Sequence, residues 1–62
     1  MVYTISAKTE GQRSFKALDV GAGVQVSKLF YATIFEREEA YRVCKMLQEE
    51  NPAIQFRVDN RG

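Results

Sequence analysis

The chain has 62 residues, and its nine Lys and Arg against eight Asp and Glu leave a net charge of +1. With one cysteine and no histidine it can form neither an intrachain disulfide nor an ordinary zinc site, so we expect no metal and no cofactor. A single domain spanning residues 1–62 buries only about 60% of its unfolded surface, and we therefore expect a homodimer or a complex with a protein partner.

Two strands joined by a hairpin are predicted at the start of the chain. Val2 to Lys8 alternates in polarity, and the run from Arg13 to Val20 is also typical of a strand. Gly11 lies between the two runs and indicates a short turn. The second strand has apolar residues on both faces, with Phe15 and Ala17 on one and Leu18 and Val20 on the other.

Gly21 and Gly23 mark the next turn, because two glycines allow the backbone to reverse sharply. The third glycine and the following helix of a dinucleotide-binding loop are missing, so we expect an ordinary turn. A third strand is predicted to begin within residues 24–26, to be irregular near Ser27, and to resume over Leu29 to Phe35.

A helix is predicted over Glu36 to Glu50. Acidic residues in its first turn suit the positive end of the helix dipole, and Glu38 is spaced to pair with Arg42. Pro52 ends the helix, and Ile54 to Asp59 then alternates as a final strand. One stripe of the helix carries its apolar residues, which are Ala40, Val43, Cys44 and Leu47.

These elements predict an α+β fold, in which a small single-layer mixed sheet of order β-β-β-α-β has one helix packed on one face. If the first three strands are antiparallel, the helix returns the chain so that the fourth strand runs parallel to the third. A right-handed crossover is then expected.

No pattern of catalytic residues is present, so we expect a protein that is not an enzyme. Histidine, the commonest acid–base residue, is absent, and no spacing brings Asp19 and Asp59 together as a pair. Cys44 lies in the middle of the predicted helix on its apolar stripe. That position favours a small buried residue over a nucleophile.

The sequence also predicts the cellular location of the protein. The first ten residues lack a charged segment leading into an apolar one, so we expect no secretion signal. The longest apolar run is far shorter than the roughly 20 residues of a membrane-spanning helix. With a lone thiol, these features predict a cytoplasmic protein without a membrane segment, such as an accessory or regulatory protein of a bacterium or phage.

One helix covers only one face of a sheet, and the predicted core face consists of Tyr3, Ile5, Phe15, Ala17, Phe30, Ala32, Ile34, Ile54, Phe56 and Val58. Further apolar residues alternate onto the opposite face, where they predict an interface for a second copy or a larger protein: Leu18, Val20, Leu29, Tyr31 and Phe35. We therefore expect a protein-interaction module. Alternatively, a bulge near Ser27 shifts the register and returns some of these residues to the core.

A second hypothesis is a module that binds DNA or single-stranded nucleic acid. Aromatic side chains on strands stack bases, and basic neighbours bind phosphates. The basic candidates are Arg13, Lys16 and Arg57, near the aromatic residues Tyr3, Phe15, Tyr31 and Phe56. The scattered charge and the expected burial of Phe56 favour protein binding over this alternative.

Overall fold

A computed structural model describes the chain from Met1 to Gly62. Its elements, in chain order, are β1 (Tyr3–Lys8), β2 (Lys16–Asp19), β3 (Val24–Gln25), a 3-10 turn (Leu29–Tyr31), α1 (Arg37–Glu50) and β4 (Gln55–Asn60). The strands form one sheet in the order β3-β2-β1-β4, and α1 packs against β1 and β4. The predicted α+β class with a single helix on a four-stranded sheet is confirmed.

Every strand pair is antiparallel, so the prediction of a mixed sheet with a parallel crossover is wrong. The last strand, β4, pairs with β1 over six residues, from Tyr3 opposite Asn60 to Lys8 opposite Gln55. The sheet therefore places the first and last strands of the chain side by side.

The predicted third strand is replaced after Gln25 by a turn. The amide of Tyr31 donates to the carbonyl of Lys28 at 3.0 Å, and the amide of Ala32 donates to the carbonyl of Leu29 at 3.0 Å. These local hydrogen bonds satisfy backbone groups that a strand would direct to a neighbour. In this run only Phe35 forms a β-bridge with the sheet, through two backbone hydrogen bonds of 2.8 and 3.1 Å with Tyr3.

The predicted helix and final strand agree with the structure to within one residue at all four of their ends. Glu36 is the extended residue that precedes α1, and Ala40 on the predicted stripe is fully buried. The rest of the stripe and the apolar side of β4 pack against a core of Ile5, Ala7 and Leu18. The ion pair on the wet side of the helix joins Arg42 to Glu39 at 3.8 Å, rather than to Glu38 as predicted.

The register of β2 shows that its two faces are the reverse of the predicted ones. Ala17 lies opposite Ser6, and Ser6 lies opposite Arg57, so these three side chains share the face away from α1. Leu18 is consequently on the helix side and is only 8% exposed. Arg13 precedes β2 in an exposed bend.

Several predicted placements are therefore wrong. Leu18, Val20 and Phe35 were expected on the open face of the sheet, but they belong to or pack against the core. Phe30 and Ile34 were expected in the core but are exposed, because the residues after Lys28 turn instead of forming a strand.

No helix of this chain is long and apolar enough to cross a bilayer.

Candidate functional site

The most exposed large apolar side chains that are neighbours in sequence lie just before α1. We call Leu29, Phe30, Tyr31 and Ile34 the apolar segment; their exposed fractions are 51%, 89%, 62% and 63%. The rings of Phe30 and Tyr31 meet edge to face, with 5.4 Å between their centroids. Single exposed apolar residues are ordinary on a protein surface, whereas a contiguous group of them indicates a contact surface.

The backbone fixes this segment from the inner side. Ala32, in the middle of it, is buried, and the amide of Thr33 donates a hydrogen bond of 3.0 Å to the carbonyl of Leu18. Ala32 and Thr33 face the sheet, whereas Tyr31 and Ile34, which flank them, face the solvent. Leu29 and Tyr31 of the predicted interface are thus exposed, on a turn rather than a strand.

The face of the sheet away from α1 is polar, and Asp59 is at its centre. Its carboxylate accepts hydrogen bonds from Ser6 Oγ at 2.5 Å, from Arg57 Nε at 2.8 Å and from Arg61 Nη2 at 3.2 Å. Arg61 Nε also donates to Thr4 Oγ1 at 3.0 Å. This network fixes the two guanidinium groups against the sheet.

A cleft of about 320 Å³ opens beside this network. Two basic residues, Lys16 and Arg61, line it together with Phe15, Ser27 and Leu29. The guanidinium carbon of Arg57 lies 4.3 Å from the centroid of the Phe15 ring. The cleft therefore combines positive charge with an aromatic surface.

Two of the three basic residues predicted for nucleic-acid binding meet around Phe15. These are Lys16, which lines the cleft, and Arg57, which stacks on the ring. Arg13 does not line the cleft. Sequence reasoning missed Arg61, because it follows the last strand and only its contacts with Thr4 and Asp59 bring it to this face.

A groove of about 360 Å³ lies on the other side of the sheet, where α1 leaves β2 and β3 uncovered. Leu18 and Val20 line one wall, and Leu47, Ile54 and Phe56 line the opposite one. Two predicted interface residues thus line a groove on the helix side of the sheet.

Cys44 is a free thiol on α1 and lines neither the cleft nor the groove. Burial raises the pKa of the Cys44 thiol above its ordinary value of 9.0, which lowers the fraction of reactive thiolate near neutral pH. No group of three His, Cys, Asp or Glu side chains is arranged to hold a metal ion.

Comparison of the chain with family models, with curated proteins and with solved structures found no match.

Proposed function

We propose that the chain is a non-enzymatic protein-interaction module that self-associates through the apolar segment. The observation that carries this proposal is the exposure of Leu29, Phe30, Tyr31 and Ile34 on one short turn. Aromatic side chains of this kind are enriched at protein interfaces, since each removes a large apolar area from water on binding.

The total surface of the chain supports association. It exposes 4601 Å², whereas a compact monomer of 7.1 kDa exposes about 4,100 Å². Only 9 of the 62 residues are buried, so the chain gains more than most from an apolar partner surface.

The charges that flank the apolar segment favour a second copy as the partner. Lys28 precedes the segment and Glu36 follows it, and neither forms an ion pair within the chain. In a two-fold dimer the same patch of both copies meets itself. If the two segments lie antiparallel, Lys28 of each copy approaches Glu36 of the other.

Light scattering over a dilution series tests this proposal. The wild type should have twice the monomer mass at high concentration, and Phe30→Ser or Ile34→Ser should shift it to the monomer without loss of secondary structure. Tyr41→Ser is the matched control, because Tyr41 is 56% exposed on α1, outside the segment. A wild type that is monomeric at every concentration would overturn self-association.

Exchange of the flanking charges tests the orientation of the two copies. Lys28→Glu places two acidic groups near each other and should weaken the dimer. The double variant Lys28→Glu with Glu36→Lys restores opposite charges across the two-fold axis and should recover it. If the double variant is as weak as the single one, the antiparallel arrangement is wrong.

The proposal includes the expected setting, a cytoplasmic accessory protein of a bacterium or phage. It is supported by a single free thiol, which is typical of proteins kept in a reducing compartment.

A further inference from the structure

The near-neutral chain has an uneven charge distribution once it is folded. The segment from Glu36 to Glu50, which comprises α1 and the residue before it, carries five Glu against three Lys and Arg. The rest of the chain carries six Lys and Arg against three Asp and Glu. The sheet and its loops are therefore net positive, while the helix on the opposite side is net negative. A balanced total charge conceals a basic surface of this kind.

The cations around the cleft differ in what holds them, and Lys16, which lies opposite Ala7 in the sheet, borders the cleft from the start of β2. Arg57 and Arg61 are fixed by Asp59, whereas Lys16 forms no ion pair. The fixed guanidinium groups keep a defined orientation, and Lys16 remains free to bind an added anion. Lys8 lies on the face away from α1, because it is in β1 two residues after Ser6.

Arg57 and Phe15 form a surface on which a planar group can stack. The guanidinium lies 4.3 Å from the ring centroid, and 54% of the Arg57 side chain is exposed. Bases of single-stranded nucleic acids stack on aromatic rings and on the planes of Arg guanidinium groups. This pair lies beside the cleft that Lys16 and Arg61 line, because Phe15 belongs to both.

We propose that the face of the sheet away from α1 binds single-stranded nucleic acid. One base stacks on the Arg57–Phe15 pair, and the adjoining phosphates contact Lys16 and Arg61. The spread of cations from Lys8 to Arg61 across the sheet favours a polymer over a free mononucleotide, since it provides for several phosphates. This site is distinct from the proposed self-association, although Leu29 borders both surfaces.

Fluorescence anisotropy of a labelled 12-residue oligothymidylate tests the proposal with the full chain at low salt. The wild type should bind this probe more tightly than a DNA duplex of equal length. Unlabelled thymidine monophosphate should fail to compete at equal phosphate concentration. Preference for the duplex, equal competition by the monophosphate, or no binding of the oligomer would each overturn the proposal.

Two variants with matched controls locate the site. Lys16→Glu should weaken binding about tenfold and make it less salt-dependent, whereas Lys45→Glu, the same change on α1, should have at most a small effect. Phe15→Leu should also weaken binding about tenfold through loss of stacking, and Tyr41→Leu should not. Equal losses for a variant and its control would overturn the assigned site.

Failure of this proposal can be distinguished from failure of self-association. Phe30→Ser removes a side chain of the apolar segment that does not line the cleft, so it should keep the affinity of the wild type for the oligomer. Circular dichroism of each variant verifies that the fold is intact. A folded Phe15→Leu protein that binds like the wild type would overturn the stacking role of Phe15.

Discussion

The backbone amide of Val20 donates a hydrogen bond of 2.8 Å to the hydroxyl of Thr33. Together with the bond from the Thr33 amide to the Leu18 carbonyl, it joins the segment before α1 to the end of β2. Thr33 thus replaces the strand neighbour that β2 lacks at this point, and it holds the apolar segment in place from behind.

Thr33→Val should destabilise the fold by about 1–2 kcal/mol, because it leaves the amide of Val20 without an acceptor in a partly buried site. Thr33→Ser, which keeps the hydroxyl, should lower the free energy of unfolding clearly less. Urea denaturation followed by circular dichroism measures both. Equal stability of the valine variant and the wild type would show that this bond contributes nothing.

The Gln48 side chain connects α1 to β4. Its Nε2 donates to the carbonyl of Ile54 at 2.6 Å, and its Oε1 accepts from the amide of Phe56 at 3.1 Å. We expect Gln48→Ala to lower the free energy of unfolding by about 1–3 kcal/mol. Glu49→Ala, an exposed neighbour on the same helix, should change it by less than about 0.5 kcal/mol. Equal free energies of unfolding for the two variants would contradict the contribution of the Gln48 hydrogen bonds.

Asp59 should contribute to stability although it lies on a polar face. Its side chain is only 15% exposed, and Asp59→Asn weakens the interactions that hold Ser6, Arg57 and Arg61. We expect a loss of about 1–2 kcal/mol, reduced from the value of a buried pair because the arginines are partly solvated. Glu50→Gln on the exposed helix end is the control for the charge change. Thermal unfolding at equal salt should give a lower midpoint for Asp59→Asn than for Glu50→Gln.

The Cys44 thiol should react slowly in the folded chain. Burial raises its pKa from 9.0, so alkylation by iodoacetamide near neutral pH should be slower than in urea, and Cys44→Ala gives the background rate. The unfolded chain deprotonates first as the pH rises. The contribution of this group to stability is therefore constant below about pH 9 and declines above it. Equal alkylation rates in buffer and in urea would contradict the burial.

The sequence predicts α1 and β4 well because their signals are local. The stripe through Ala40 and Leu47, the acidic first turn and Pro52 all act within a few residues of each other. The alternation of Phe56 and Val58 similarly places β4 on the core. Each of these elements has one clearly apolar side, which leaves a single way to bury it.

The turn that replaces the third strand could not be predicted, because the run from Leu29 to Phe35 has the composition of a strand. No glycine or proline marks its turn, and Thr33 fixes it through bonds to a distant part of the chain. The faces of β2 were ambiguous for a different reason. Both carry apolar residues, and only pairing of Ala17 with Ser6 decides between them.

The residues of the candidate site were likewise predicted only in part. Lys16 and Arg57 were identified as basic strand residues, and Leu29 and Tyr31 as interface residues. Phe30 was missed because its place in an assumed strand pointed it inward. Arg61 was missed because no sequence pattern connects it to Thr4, which lies 57 residues away in the chain.

The pairing of β1 with β4 has a consequence for how the chain folds. Ser6 and Asp59 are 53 residues apart in sequence, and their side chains are hydrogen-bonded across the two strands, so β1 and β4 pair only after the chain loses entropy in closing a long loop. Topologies dominated by such distant contacts fold more slowly than local ones. Because Phe56 and Val58 of β4 cover the core and α1 packs on β4 as well as on β1, proteolytic removal of the last strand would expose Ile5 and Ala7 to water and take away part of the surface that holds the helix.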